Sequence, residues 1–371
     1  MKPLRMGIIG CGGIAQMMHL PYMDDYEQFE IVALADLHRP TLEAVGARYH
    51  VSNLYTDWRD LLKHDDIDAV GIFHAGSHYQ TVMAALDANK HILVEKPLAW
   101  NVRETEEIAA RAAKSDRILQ LGYHKLYDPG FAYAREQVKQ MEDLGYVRIT
   151  VLHPADEYGR SMHRVRVGDG KIIEGHVDVG SWETMVEAQQ RGTLVGELAP
   201  LVDEVLGARK DDRRLRLGYT MLIQSIIHQV YTLFGFLGEP SGVARTDIWR
   251  DGFSIHSLIE YPNDLRVSLD WQFLPYLKDY REEYAFFGNH QRVYFTLPSP
   301  YFRNFPSPVT IQGHDGELAW EKRVIVNYEE AFRNELLEFY DNVQNRRQPR
   351  SSVEDALKHA RFIQKMIDAA V

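Results

Sequence analysis

The chain has 371 residues, 45% of them hydrophobic, a formal net charge of −11 and a single cysteine, Cys11. That length suits two domains of ordinary size with ample core. The acidic balance argues against nucleic acid or an anionic membrane as main partner, and one cysteine excludes a disulfide framework or a cysteine metal centre within one chain.

The N-terminus runs straight into an apolar segment, with nothing ahead of it that reads as a signal peptide. No apolar run nears the roughly 18 residues of a membrane span. A soluble, cytoplasmic protein is expected.

Met6-Gly7-Ile8-Ile9 predicts a strand. It ends in Gly10-x-Gly12-x-x-Ala15, and a helix is predicted from Ile14 to Asp25. Strand, glycine turn and helix in that order form the dinucleotide fingerprint. Gly10 allows the tight turn, Gly12 lets the backbone approach a pyrophosphate, and Ala15 lets the helix pack close. Gly13 and Ile14 open that helix, whose N–H groups face the phosphates. The next apolar run, Glu30 to Ala35, ends at Asp36, about 20 residues on, where an acid holds the adenosine ribose diol. An Asp there favours NAD over NADP. Arg39 keeps NADP open, since a nearby Arg can receive a 2′-phosphate.

Further strands are predicted at 54–55, 68–73, 91–94 and 118–122, alternating with helices at 41–49, 57–62, 79–89 and 102–115. That alternation implies right-handed crossovers and a doubly wound parallel sheet. Glu95-Lys96-Pro97 ends one strand, at the edge where such sheets bind ligand. There a lysine can reach toward a nicotinamide and a substrate hydroxyl, or simply pair with Glu95.

The fingerprint, Asp36, Lys90 to Pro97 and the later Gly122-Tyr123-x-x-x-Tyr127-Asp128-Pro129 together resemble the Gfo/Idh/MocA oxidoreductases. The resemblance implies an NAD(P)-dependent enzyme acting on a hydroxyl of a sugar, sugar derivative or cyclitol. It makes Lys96 a substrate contact that tunes proton transfer, and it places Glu95 and His78 by the cofactor. Relatives carry Thr-Pro-Asn where this chain has Phe73, His74 and Ala75, which puts His74 near the nicotinamide. Their Asn-Arg-Arg is replaced by His124-Lys125-Leu126.

From residue 126 the pattern changes. A helix is predicted over 131–143, and strands at 147–152, 242–249, 253–261, 265–273, 283–287 and 291–296. Pro262-Asn263-Asp264 and Asp315-Gly316 read as hairpin turns. Helices over 329–346 and 353–370 close the chain. The expected fold is α/β: a Rossmann domain over 1–125, then an α+β domain over 126–371 with a large, open, mostly antiparallel sheet. One face of such a sheet needs cover, so a homodimer or homotetramer is expected.

Residues 155–217 form an insertion relative to the family pattern, with helices expected over 181–191 and 197–206. Arg160, His163, Arg164 and Arg166 stand there, either as an anion-recognising cluster or as a solvated basic face.

Gly218 to His228 is the third landmark. Relatives place Asp and His four residues apart on a helix, both facing substrate. Here His228 remains, and Gln224 stands where the Asp would be. Removing a hydroxyl proton needs a base near neutral pKa, so His228 and Lys96 are the catalytic candidates, with Gln224 orienting a hydroxyl. Tyr123, Tyr127 and Tyr158 are candidates for an additional acid or base. Without the Asp, two other readings stand. One is a redox-neutral glycosidase that oxidises a sugar hydroxyl transiently, eliminates the glycosidic substituent and reduces the ring again. The other is a non-catalytic NAD-binding sensor. The sixteen His are scattered, without a metal-ligand spacing.

Overall fold

The computed structural model describes residues 2–155, 160–168, 171–174 and 198–371. Within those residues the chain divides into two compact units. The first holds β1 (Leu4–Ile9), β2 (Phe29–Ala35), β3 (Leu54–Tyr55), β4 (Ala69–Ile72), β5 (His91–Val94) and β6 (Leu119–Leu121). They form one parallel sheet in the order β3-β2-β1-β4-β5-β6. The strands are short apolar runs because both faces are covered by crossover helices: Met6, Ile8, Val70, Ile72, Leu93 and Val94 are buried. The order reverses between β1 and β4, so the ligand crevice of such a sheet opens at their carboxyl ends.

The helix after β1 is not a plain α-helix. Residues Ala15–His19 make a π turn, and an α-helix follows over Leu20–Asp25. Pro21 sits in the first turn of that α-helix. It has no N–H to continue the ladder, and the backbone widens just ahead of it.

Two later parts of the chain return to this unit, 160–174 and 332–357. A single boundary at 125/126 does not contain them. The second return closes the edge of the sheet. Gln120 donates to Glu335 O at 3.0 Å and accepts from Asn342 at 3.0 Å, and Ser351 Oγ donates to Leu121 O at 2.7 Å. Those partners are more than 200 residues from β6 in sequence, beyond the reach of local pattern.

The second unit is built on an eight-stranded sheet. In chain order its strands are β7 (Tyr146–His153), β10 (Gly242–Trp249), β11 (Ser254–Glu260), β12 (Arg266–Phe273), β13 (Arg281–Phe287), β14 (Arg292–Leu297), β15 (Val309–Asp315) and β16 (Leu318–Val324); β8 (Arg164–Gly168) and β9 (Lys171–Glu174) form a separate hairpin in the first unit. The order is β10-β11-β12-β7-β13-β14-β15-β16. Only β7 and β12 run parallel; the remaining pairs are antiparallel. Asn263 and Asp264 take φ of +60° and +62° at the tight β11–β12 turn, which matches the favoured two-residue hairpin twist.

A continuous helix, Arg213–Leu237, packs in this unit, with a π turn over Leu222–Ile226. Among the described residues it alone is long and apolar enough to cross a membrane, but 67% of its apolar window is buried within the protein. That is the signature of a core helix. The expected helix over 181–191 lies outside the described residues. Of the one over 197–206, Ala199–Leu206 is present.

Candidate functional site

The glycine turn follows β1 directly. Gly10 has φ of +95°, and a Cβ there would stand 2.4 Å from His74 N. The turn therefore lies against the loop after β4, and no side chain fits at Gly10. A Cβ at Gly12 would meet nothing within 4 Å. That open face is what a pyrophosphate needs beside the turn. Asp36 reaches back from the end of β2: Cys11 N–H donates to its Oδ2 at 2.7 Å, and His38 N–H to its Oδ1 at 2.8 Å. The acid is thus held beside the turn, where a ribose diol would lie. These residues fit a dinucleotide. Burial and the Asp36 charge push the buried Cys11 thiol up, so it stays neutral.

Gly10→Ala is expected to abolish NADH binding and to destabilise the chain by about 1–3 kcal/mol, the cost of forced backbone strain. A fluorescence titration with NADH and a thermal melt of the same sample check it. An unchanged titration would show that the turn does not hold the dinucleotide.

Gln16, just past the turn, is buried. Its amide donates to Cys11 O at 2.8 Å and to Arg166 O at 2.9 Å, and it accepts from Arg166 N–H at 2.8 Å. The β8–β9 hairpin is thereby fastened to the nucleotide turn. Arg48 adds a donor to Arg164 O at 3.5 Å. The basic residues Arg164 and Arg166 of the insertion thus belong to the first unit, beside the dinucleotide turn.

Glu95 at the end of β5 is 7% exposed. Lys96 donates its backbone N–H to Oε2 of this carboxylate at 3.1 Å, and His19 Nε2 is 2.9 Å from Oε1. Glu95 is thus paired with His19. His19 stacks on Phe73 at 3.9 Å and meets Phe332 edge-on at 5.4 Å. Phe73, the departure from Thr, is therefore the wall that seats His19. Sequence reading missed His19; its only signal was a lone His four residues past Ala15 on an apolar helix. Burial raises the Glu95 carboxyl, but the His19 hydrogen bond and charge and the Lys96 charge outweigh it and hold it below its ordinary value. A carboxylate lowered in the folded state adds stability above its unfolded pKa and loses it as pH falls through the folded value. His19→Gln is therefore expected to shrink the loss of stability on acidification below pH 4.5. Urea midpoints at pH 7 and pH 4 read this difference.

His78 is turned inward, not toward an open face. It is 1% exposed, with Nδ1 2.6 Å from Pro97 O and Nε2 2.8 Å from His74 O. Burial pushes its pKa down to about 4. It binds the loop after β4 to the loop after β5. His74 contacts Ala75 O at 2.8 Å and Thr81 Oγ1 at 3.0 Å. Arg39 is 71% exposed and pairs with Glu43 at 2.8 Å.

In the second unit, His228 lies just after the π turn. Its Nδ1 is 2.8 Å from the Tyr231 hydroxyl. Gln224 lies within the π turn and is exposed. A π turn advances each residue by less than the α-helical 100°, which keeps positions 224 and 228 on roughly one side of the helix. Beneath this helix lies a buried polar cluster that sequence reading did not find. Glu282, fully buried on β13, receives Lys125 Nζ at 2.7 and 2.6 Å, Gln229 at 2.9 Å and the Tyr284 hydroxyl at 2.8 Å. Tyr280 donates to it as well. Burial opposes the Glu282 charge, but Lys125 and the hydrogen bonds hold its pKa below the ordinary value. Lys125, a departure from the family's Arg, thus anchors the helix segment that carries His228.

Tyr123 is 2% exposed. Burial, then the Asp355 charge, drive its hydroxyl far up, so it is no base at neutral pH. Tyr127 is buried too. Tyr158 lies outside the described residues. Among the described residues no three His, Cys, Asp or Glu gather as a metal site. A hollow of about 470 Å³ lies at the opposite, amino-terminal edge of the first sheet, against Leu4, Ile67, His91 and Arg117, away from the glycine turn.

Comparison with known proteins gives three findings. Residues 4–123 match the family model described as "Oxidoreductase family, NAD-binding Rossmann fold", of the Gfo/Idh/MocA type. Among curated relatives, a dTDP-3,4-didehydro-2,6-dideoxy-alpha-D-glucose 3-reductase of Saccharopolyspora spinosa is 31% identical over 40% of this chain and 44% of that protein. A myo-inositol 2-dehydrogenase of Thermotoga maritima is 23% identical over 56% and 62%. A D-glucoside 3-dehydrogenase of Escherichia coli is 28% identical over 37% and 39%. The chain spans about half the length of the curated relatives it matches. Among solved structures, a 3-ketoreductase from Actinomadura kijaniata, held with TDP-benzene and NADP, superposes with a TM-score of 0.72 at 17% identity, covering 99% of this chain and 98% of that one. That likeness is one of fold.

Proposed function

We propose, from the match of residues 4–123 to the Gfo/Idh/MocA family model, that this chain is an NAD-dependent dehydrogenase moving hydride between the nicotinamide and a secondary hydroxyl of a sugar, sugar derivative or cyclitol. One observation carries the reading: the open glycine turn and the Lys96 segment end neighbouring parts of one parallel sheet, at the same carboxyl edge. Asp36 supports NAD over NADP, since its carboxylate accepts from ribose hydroxyls and repels a 2′-phosphate. The relatives' named substrates, a deoxysugar nucleotide, an inositol and a glucoside, support the substrate class.

The cofactor, when bound, takes or gives the hydride. The chain supplies the proton work. His19 holds Glu95 ionised, and Glu95 fixes the Lys96 backbone. The Lys96 ammonium orients the substrate hydroxyl and favours its oxyanion. His228 receives the hydroxyl proton. The exposed row Leu318, Trp320 and Tyr328, on and after the edge strand β16, supports self-association through the second unit.

The test is absorbance at 340 nm with NAD or NADP and a panel of sugars, sugar nucleotides, cyclitols and aryl glycosides, with aglycone followed in the same wells. NADH formed with one polyol or sugar supports the dehydrogenase. Aglycone release without net NADH replaces it with the redox-neutral glycosidase. Asp36→Ser is expected to narrow the preference for NADH over NADPH at least about tenfold, roughly 1.4 kcal/mol. Paired binding titrations measure it.

A further inference from the structure

We propose that Tyr231 is the positioning residue of His228: its buried hydroxyl accepts the Nδ1 proton, so that the ring presents the Nε2 lone pair to the substrate. The inference rests on the reading above, in which His228 receives a substrate proton.

A neutral imidazole carries one proton. Only the Nδ1–H tautomer leaves Nε2 able to accept, so whatever faces Nδ1 decides whether His228 is a base. Here that group is the Tyr231 hydroxyl, 2.8 Å away. The two rings meet at 68° with centroids 5.5 Å apart. Tyr231 has no exposed surface, whereas His228 is half-buried. The phenol is therefore fixed and the imidazole has access to solvent. The helix backbone is held on both sides: Thr232 Oγ1 donates to His228 O at 2.7 Å, and Gln229 donates to Glu282 at 2.9 Å.

A phenol can donate to Nδ1 or accept from it. A His228 that takes a substrate proton at Nε2 must carry its own proton on Nδ1, and the Tyr231 oxygen, 2.8 Å away, is then its acceptor. Below this pair the core is held by Glu282, which accepts from Tyr280, Tyr284 and Gln229 and is paired with Lys125 at 2.6 Å.

The test reads the tautomer directly. The full-length protein is labelled with nitrogen-15 histidine, and long-range proton–nitrogen correlation spectra are recorded at pH 8. The His228 signals are identified by their loss in His228→Gln. In the wild-type protein, a protonated Nδ1 and a bare Nε2 are expected. In Tyr231→Phe the proton is expected to move to Nε2, with NADH affinity unchanged. A wild-type His228 protonated on Nε2 overturns the proposal, and so does a Tyr231→Phe spectrum that keeps the wild-type tautomer. The wild-type spectrum decides the matter even if the variant does not fold. No substrate enters the experiment. An Nδ1–H His228 in a chain that oxidises no hydroxyl would leave the tautomer assignment standing and sink the functional reading instead.

Discussion

Lys96→Met is expected to cut turnover about 10²–10⁴-fold, the range for a group that works on a proton in the transition state, while NADH affinity stays within about twofold. The reason is where its parts lie. The backbone of Lys96 is fixed by Glu95, whose carboxylate accepts the Lys96 N–H at 3.1 Å and is itself held by His19 at 2.9 Å. Neither contact uses the ammonium group. Methionine keeps most of the stem and removes only the charge and donors. Steady-state kinetics on the substrate found by the panel, with NADH titration and a melt, separate the effects. A loss confined to KM would make Lys96 a binding group. An equal loss of NADH affinity would place its work at the cofactor.

Lys125→Met should act in the opposite way, through stability. Lys125 and Glu282 are both buried, at 2.6 Å. Such a pair is a poor source of net stability, because both charges lose water. Breaking it from one side is costly, since the remaining charge is stranded. The expected loss is about 3–5 kcal/mol. Gln229, Tyr280 and Tyr284 still donate to Glu282, but none carries a balancing charge. The double variant Lys125→Met/Glu282→Gln should recover much of the loss. Urea midpoints for the four proteins close the cycle. A single-variant loss under about 1 kcal/mol would mean that the three neutral donors suffice to hold the carboxylate, and the double variant would then gain nothing.

The first unit was largely legible because its signals are local. The apolar runs 6–9, 30–35 and 91–94 are short and end in punctuation. Gly10 and Gly12 announce a turn in which the first position excludes a Cβ and the second stands open. Asp36 follows a strand by one residue, so its place beside the turn follows from strand pairing. The hairpin at Asn263–Asp264 was equally local. His78 was legible as a motif residue but not in its direction: both its ring nitrogens meet backbone carbonyls, and nothing in a sequence says which way a ring turns. His19 was hidden because its partner, Glu95, lies 76 residues away. The returns of 160–174 and 332–357 to the first unit were hidden for the same reason.

The sequence by itself determined the class of the protein. Glycine spacing, strand punctuation and the Glu-Lys-Pro segment depend on backbone sterics and on neighbours a few residues apart. Tertiary structure alone decided which charges are paired and which side chains remain for chemistry. It gave Glu95 to His19 and tied the Lys96 backbone N–H to the same carboxylate. It buried Lys125 against Glu282, buried Tyr123 and set Tyr231 against His228. Each of these pairings joins residues brought together by packing in a medium where an unpaired charge is costly, or depends on how a helix is wound: two π turns, at Ala15–His19 and Leu222–Ile226, re-aim His19 and His228 from the positions that an unbroken α-helix would assign.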